Sequence, residues 1–294
     1  MKVLLLGHKG MLGADLMAQF KYRHEVVGMD IDEINITRAS DCRRAVADTG
    51  PDLVINAAAF TNVDACETAT EECFAVNGEG VKNIALACRD KNIPLVHYST
   101  DYVFDGNSDT PYLEDAPCNP INNYGASKLT GEHYLRQTTD NYLIIRTAWL
   151  YGAGGKNFVG AILEQARTTG RLTVVDDQKG SPTCTRDLAA ATELLIDKNA
   201  RGIFNVTNRG HCTWFDFARK ILDEAGLGLV ELVPIKSSEL ERAARRPAYS
   251  VLGMQKFMDT TGKTMQPWQL AFSDYYKYIT TRTCLAQAAG PPRR

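Results

Sequence analysis

No stretch of this sequence holds the roughly eighteen consecutive apolar residues that a membrane-spanning helix requires. The apolar run near the start, "VLLL", is too short for a secretion signal and leads straight into glycines, so no signal peptide is expected. Eight cysteines are present (Cys42, Cys66, Cys73, Cys88, Cys118, Cys184, Cys212 and Cys284), yet no two stand in C-x-x-C spacing. No histidine lies at zinc-finger distance from a cysteine pair either, so no metal is expected. Several cysteines sit among alanines in helical patterns, where a free thiol serves as a small hydrophobe. Reduced thiols of this kind fit a cytoplasmic protein. An excess of one charge is also missing: 33 Lys and Arg stand against 35 Asp and Glu, a net −2. Such a balance creates no field toward nucleic acid or an anionic membrane, and neither is expected as a partner. No internal repeat or low-complexity block interrupts the chain.

What is present is a globular composition, 44% apolar and 23% charged over 294 residues, enough for one large domain with a smaller lobe. Apolar, β-branched runs recur at "KVLLL", "EVVGM", "DLVINA", "PLVHYS" and "YLIIRT", with helical spacing between them. Strands alternating with helices imply parallel pairing, and nearly all-apolar strands imply cover on both faces. The expected fold is therefore α/β, a Rossmann-like doubly wound parallel sheet over residues 1–150. Beyond it the rhythm loosens into a smaller α+β substrate-binding lobe over 151–282, with some later elements returning to the sheet. Residues 283–294 read as a tail.

"GHKGMLG" follows the first strand, and its glycines let a backbone approach a pyrophosphate at a helix N-terminus. The spacing places Gly7, Gly10 and Gly13 around that turn, with Lys9, Met11 and Leu12 between them. Asp30 ends the second strand, where a carboxylate binds the adenosine ribose. Asp30 argues for NADH, while Lys9 leaves a 2′-phosphate, and so NADPH, open. "YGASK" sets Tyr124 and Lys128 at i and i+4 on one helix face, so the ammonium is expected to lower the phenol pKa. "HYSTDYVFDG" ends the fourth strand, where open sheets form their ligand crevice, and Thr100 there can hydrogen-bond a carbonyl oxygen. His97 reads as a satisfied core residue, and Trp214 and Phe217 as core of the small lobe.

Those motifs, with "PDLVINAAAFTNVDACE", "VNGEGVKNIA", "RTAWLYG", "DQKGSPT" and "RRPAYSVL", resemble the extended short-chain dehydrogenases/reductases and, within them, the dTDP-4-dehydrorhamnose reductases. The resemblance implies hydride transfer from NADPH or NADH to C4 of a 4-keto-6-deoxy nucleotide sugar, with Thr100, Tyr124 and Lys128 as the catalytic set. It implies Gly7, Gly10 and Gly13 on the pyrophosphate, Lys128 on the nicotinamide ribose, and Ala57, Ala58 and Ala59 along the cofactor groove. The same resemblance implies that Asn77 supports the site, that Asn35 and Ile36 lie on the adenine side, Asn35 standing where many members have an acid, and that Trp149, Thr61, Val63 and Tyr102 line the sugar pocket. Lys179 and Arg246 are candidates for the diphosphate.

Related dehydratases carry T-D-E, whereas Thr100-Asp101 is followed here by Tyr102, so the second acid is absent. Epimerases resemble S-S-A-x-V-Y-G at this place, which does not match. Some relatives form a dimer bridged by Mg²⁺ at positions matched by Asp15 and Arg186; arginine cannot ligate a cation, so that metal is not expected and a homodimer stays open. Rival readings are another nucleotide-sugar ketoreductase or epimerase, a non-catalytic cofactor-binding regulatory subunit, or a generic nucleotide-binding scaffold.

Overall fold

A computed structural model describes the backbone of residues 1–288 and the side chains of residues 1–281. The chain begins with β1 (Lys2–Leu6), α1 (Met11–Phe20), β2 (Glu25–Met29), α2 (Ala39–Thr49) and β3 (Leu53–Asn56). Two short helices, α3 (Ala65–Thr68) and α4 (Thr70–Phe74), pass through a π-helical turn (Ala75–Glu79) into α5 (Gly80–Arg89). Then come β4 (Leu95–Thr100), α6 (Asn123–Thr138), β5 (Tyr142–Thr147) and the short β6 (Leu150–Tyr151). The later part holds α7 (Phe158–Thr169), β7 (Arg171–Val175), β8 (Lys179–Gly180), β9 (Thr183–Cys184) and α8 (Thr185–Asp197). It closes with β10 (Gly202–Asn205), β11 (Cys212–Thr213), α9 (Trp214–Glu224), β12 (Glu231–Ile235), α10 (Gln255–Thr261) and α11 (Trp268–Ala288).

Six strands form one sheet in the order β10-β5-β4-β3-β1-β2, all parallel. Alternation along each strand sends residues to opposite faces. Val3 and Leu5 join a core with α1, α8 and α10, while Leu4 and Leu6 join one with α2, α5 and α6. Both faces are covered, which is why the strands read as continuous apolar runs. The chain leaves β1 toward β2 on one side and β3 on the other, so the strand order reverses beside β1, and open sheets place ligands at such a point.

After β6 the chain builds a second core from α7, α9, α11 and the parallel pair β7–β12, centred on Tyr151, Phe217 and Phe272. Helix α9 starts on a capping box in which Thr213 and Asp216 satisfy each other's backbone N–H groups. The chain also returns to the sheet: α8 packs on α1, and β10 pairs with β5 at the sheet edge. Among the described residues no helix is long and apolar enough to cross a membrane. The last six residues of the expected tail, and the side chain of Cys284, lie outside the described residues.

Candidate active site

The C-terminal ends of β1 and β3 meet at the glycine loop. Gly7 has a φ of +79°, and a Cβ there would lie 2.6 Å from the Ala58 nitrogen, so only glycine fits. The N-terminus of α1 has no side-chain cap, leaving first-turn N–H groups for an anion. A Cβ on Gly10 would meet only the Gly7 carbonyl, at 3.3 Å, so the approach to that terminus is open. These features fit a dinucleotide pyrophosphate.

Facing the loop, Thr100 ends β4, and Asn122 caps α6 by accepting the Gly125 N–H at 2.8 Å. A side chain on Gly125 would run into the Tyr102 carbonyl, so the helix start and the strand exit touch backbone to backbone. That contact brings the first turn of α6, with Tyr124, to the same cavity wall as Thr100. Thr100 donates to Asp101 at 2.9 Å and accepts the Tyr102 N–H at 3.2 Å. One and two turns on, Lys128 and Glu132 are buried, and Glu132 grips Arg146 of β5 through two hydrogen bonds of 2.7 and 2.9 Å.

Burial, with Asp101 adding to it, raises the Tyr124 pKa above its ordinary value. This corrects the expectation that Lys128 lowers it: removal of the phenol from water sets the direction. The group is thus held as a phenol, the form a proton donor needs. Burial brings Lys128 down to about 8, against the pull of Glu132. Asp101 is pushed up to about 7 by burial, and its Oδ2 has no hydrogen-bond partner.

A cavity of about 580 Å³ joins these parts. Its walls hold Gly10, Met11, Leu12, Gly13, Ala57, Ala58, Ala59, Thr61, Val63, Thr100, Tyr102, Tyr124, Lys128 and Trp149. Asn77 lies beneath, buried, with its amide bonded to both the N–H and carbonyl of Phe60 and to the Ser127 hydroxyl. Lys9 and Asp30 join at the outer side of the loop, where Asp30 accepts the Lys9 N–H at 2.9 Å. Asn35 turns its amide onto Thr37, and Ile36 is buried in the core beside α2 and α5; neither borders the cavity.

Reasoning from sequence missed Ser99, Asp101, Thr147, Lys156 and Trp214 on the same walls. Trp214 corrects the expectation of a core residue. Phe217 is core, but Trp214 stacks on Trp149 with ring centroids 3.5 Å apart and planes 6° from parallel. Trp149 itself is held at φ +49°, a strained setting for a bulky residue. His97 is only partly satisfied: its Nδ1 pairs with Asn56 at 3.2 Å, its Nε2 has no partner, and burial keeps it neutral. A second cavity, about 600 Å³, adjoins the first through Val63, Tyr102 and Trp214, and is lined further on by Gln178, Ser237, Arg242 and Arg245. Arg246 borders it but is clamped on Asp64 by bonds of 2.6 and 2.7 Å, which hold that carboxyl down to about 2. Lys179 is exposed in β8 and outside both cavities' walls. Away from the site, Asp15 accepts from Thr185, and Arg186 lies over the Tyr278 ring at 4.3 Å.

A profile of the RmlD substrate binding domain matches residues 1–281. The chain belongs to that family. It is 37% identical to a Burkholderia thailandensis dTDP-4-dehydrorhamnose reductase, over 92% of this chain and 96% of that protein. It is 39% identical to a Streptomyces niveus dTDP-4-keto-6-deoxy-D-glucose reductase, over 94% and 96%. Among solved structures, a Bacillus anthracis dTDP-4-dehydrorhamnose reductase in complex with NADP superposes with a TM-score of 0.92 at 33% identity, covering 94% of this chain and 99% of that one.

Proposed function

We propose that this chain reduces the C4 carbonyl of dTDP-4-dehydro-β-L-rhamnose to give dTDP-β-L-rhamnose, the last step of dTDP-rhamnose biosynthesis. The observation that carries the reading is the convergence of Thr100, Tyr124 and Lys128 on one cavity with the open N-terminus of α1. A bound NADPH or NADH supplies the hydride. Tyr124, held as a phenol, gives its proton to the developing alkoxide at O4. The Thr100 hydroxyl orients that oxygen, and the Lys128 ammonium offsets the charge left on the phenolate. Met11, Leu12, Gly13 and Ala57–Ala59 hold the dinucleotide, with Gly7 and Asn77 shaping the walls behind it. Asn35 and Ile36 act on the adenine side only by supporting the fold there.

The paired Trp149 and Trp214 rings present an apolar face to the deoxysugar, with Thr61, Val63 and Tyr102 around it. The adjoining cavity takes the nucleoside diphosphate, with Arg242 and Arg245 for its phosphates and the Gln178 amide for polar groups. Arg246 serves as a tether through Asp64 instead of a phosphate ligand. The Streptomyces relative's name favours a second reading, a different 4-keto-6-deoxy sugar on the same nucleotide. Offering the L-lyxo and D-xylo 4-keto sugars separately, and following oxidation of the reduced nicotinamide, decides between them. Turnover of neither would overturn the reductase assignment. Cytoplasmic location and assembly as a homodimer belong to the same proposal, the latter read from light scattering of the purified protein.

A further inference from the structure

The choice of dinucleotide is decided around the outer side of the glycine loop. We infer that this chain selects NADH over NADPH, through a cluster of Asp30, Asp32 and Glu33 that excludes a 2′-phosphate and occupies Lys9. The inference rests on the reductase reading above. Asp30 is pinned from two sides: Oδ2 accepts the Lys9 N–H at 2.9 Å and Oδ1 accepts the Ile31 N–H at 2.9 Å. Its carboxylate therefore stands against the loop, where the adenosine ribose hydroxyls arrive. Glu33 closes the cluster, accepting the Asp30 N–H at 2.8 Å through one oxygen and the Lys9 ammonium at 3.1 Å through the other.

Lys9 is the residue that left NADPH open on sequence grounds, and here its ammonium is engaged. It donates to Asp32 at 2.5 Å as well as to Glu33, so two of its three N–H groups already have anionic acceptors. Those contacts raise the Lys9 pKa and lower those of Asp32 and Glu33, so all three are charged at neutral pH. Two carboxylates thus hold the ammonium, and a third, Asp30, is bonded to the backbone N–H of the same lysine. A ribose diol brings hydrogen-bond donors to such a place, and Asp30 accepts them. A 2′-phosphate brings further negative charge and no donor, and meets a lysine whose charge is already offset by two carboxylates.

The test is equilibrium titration of the purified full chain with NADH and with NADPH, by calorimetry and without sugar. NADH is expected to bind about tenfold tighter or better at low salt, a difference of about 1.4 kcal/mol. The gap should narrow as ionic strength rises from roughly 0.01 to 1 M, because the Debye length falls from about 30 to about 3 Å. The exposed double variant Asp32→Asn/Glu33→Gln frees Lys9. It should strengthen NADPH binding by about fivefold or more while NADH changes by less than about twofold, the range of one surface ion pair. NADPH binding as tight as NADH in the wild-type chain, or an unchanged ratio in the double variant, overturns the inference and leaves the reductase reading standing. Binding of neither dinucleotide overturns both.

Discussion

The sheet side of the cleft and its lobe side are assembled by opposite means. On the sheet side, Thr100, Tyr124 and Lys128 come from one strand end and one helix, tied behind by the buried Glu132–Arg146 pair. On the lobe side, Trp149, Gln178, Trp214 and the Ser237–Arg242 stretch come from four separate segments, and the wall exists only because the second core draws them together. Chemistry that needs sub-ångström placement sits on regular elements. The recognition wall is built mostly from connections and one helix start, positions that can change without disturbing the sheet.

Four measurements can break or sharpen this comparison. The largest effect is expected on the sheet side: Tyr124→Phe should cut turnover by about 10²–10⁴-fold, the usual scale of a lost general acid, while NADH affinity by calorimetry stays the same. Turnover close to wild type would remove Tyr124 from its role. Next, Glu132→Ala leaves Arg146 buried and unpaired and should cost about 3–5 kcal/mol of stability in urea unfolding. A much smaller loss would mean that the sheet side is not braced as described.

On the lobe side, Trp214→Ala removes one ring of the stacked pair. It should raise KM for the nucleotide sugar by roughly tenfold, on the scale of one aromatic pair, with dinucleotide affinity unmoved. Equal loss of both affinities would erase the distinction between the two walls.

The fourth measurement is a pH dependence at Asp101, whose pKa rises on folding from 3.8 to about 7. Below about pH 4 both folded and unfolded chains hold its proton. As pH rises toward about 7 the unfolded chain releases it and the folded one does not, so this group lowers stability over that window and adds no further change above it. Asp101→Asn should therefore melt closer to wild type at pH 4 than at pH 8, where it should melt higher. A gap independent of pH would show that Asp101 does not titrate as its burial implies.

Much of the sheet side was legible in the chain. Strands β1 to β5 follow the apolar runs within a residue or two, and "GHKGMLG" and "YGASK" fall on the turn and helix their spacing implies. The wrong sign for Tyr124 came from reading one neighbour, Lys128, when burial by the whole fold dominates. Trp214 was mistaken for core because helical spacing pairs it with Phe217, and nothing local announces a ring stacked on it from 65 residues away. Arg246 read as a free phosphate ligand because its partner, Asp64, lies 182 positions earlier.

By itself the sequence determined the alternation of strands and helices, the glycine turn and the i, i+4 pair of Tyr124 and Lys128. Each of these depends on backbone periodicity and on residues within a few positions of one another. Only the tertiary structure decided which tryptophans meet, that Arg246 is spent on Asp64, that Lys9 is held among carboxylates, and that Tyr124 stays a phenol. Those outcomes depend on burial and on contacts between distant segments, and the sum of such contacts exists only once the crossovers have brought the segments together.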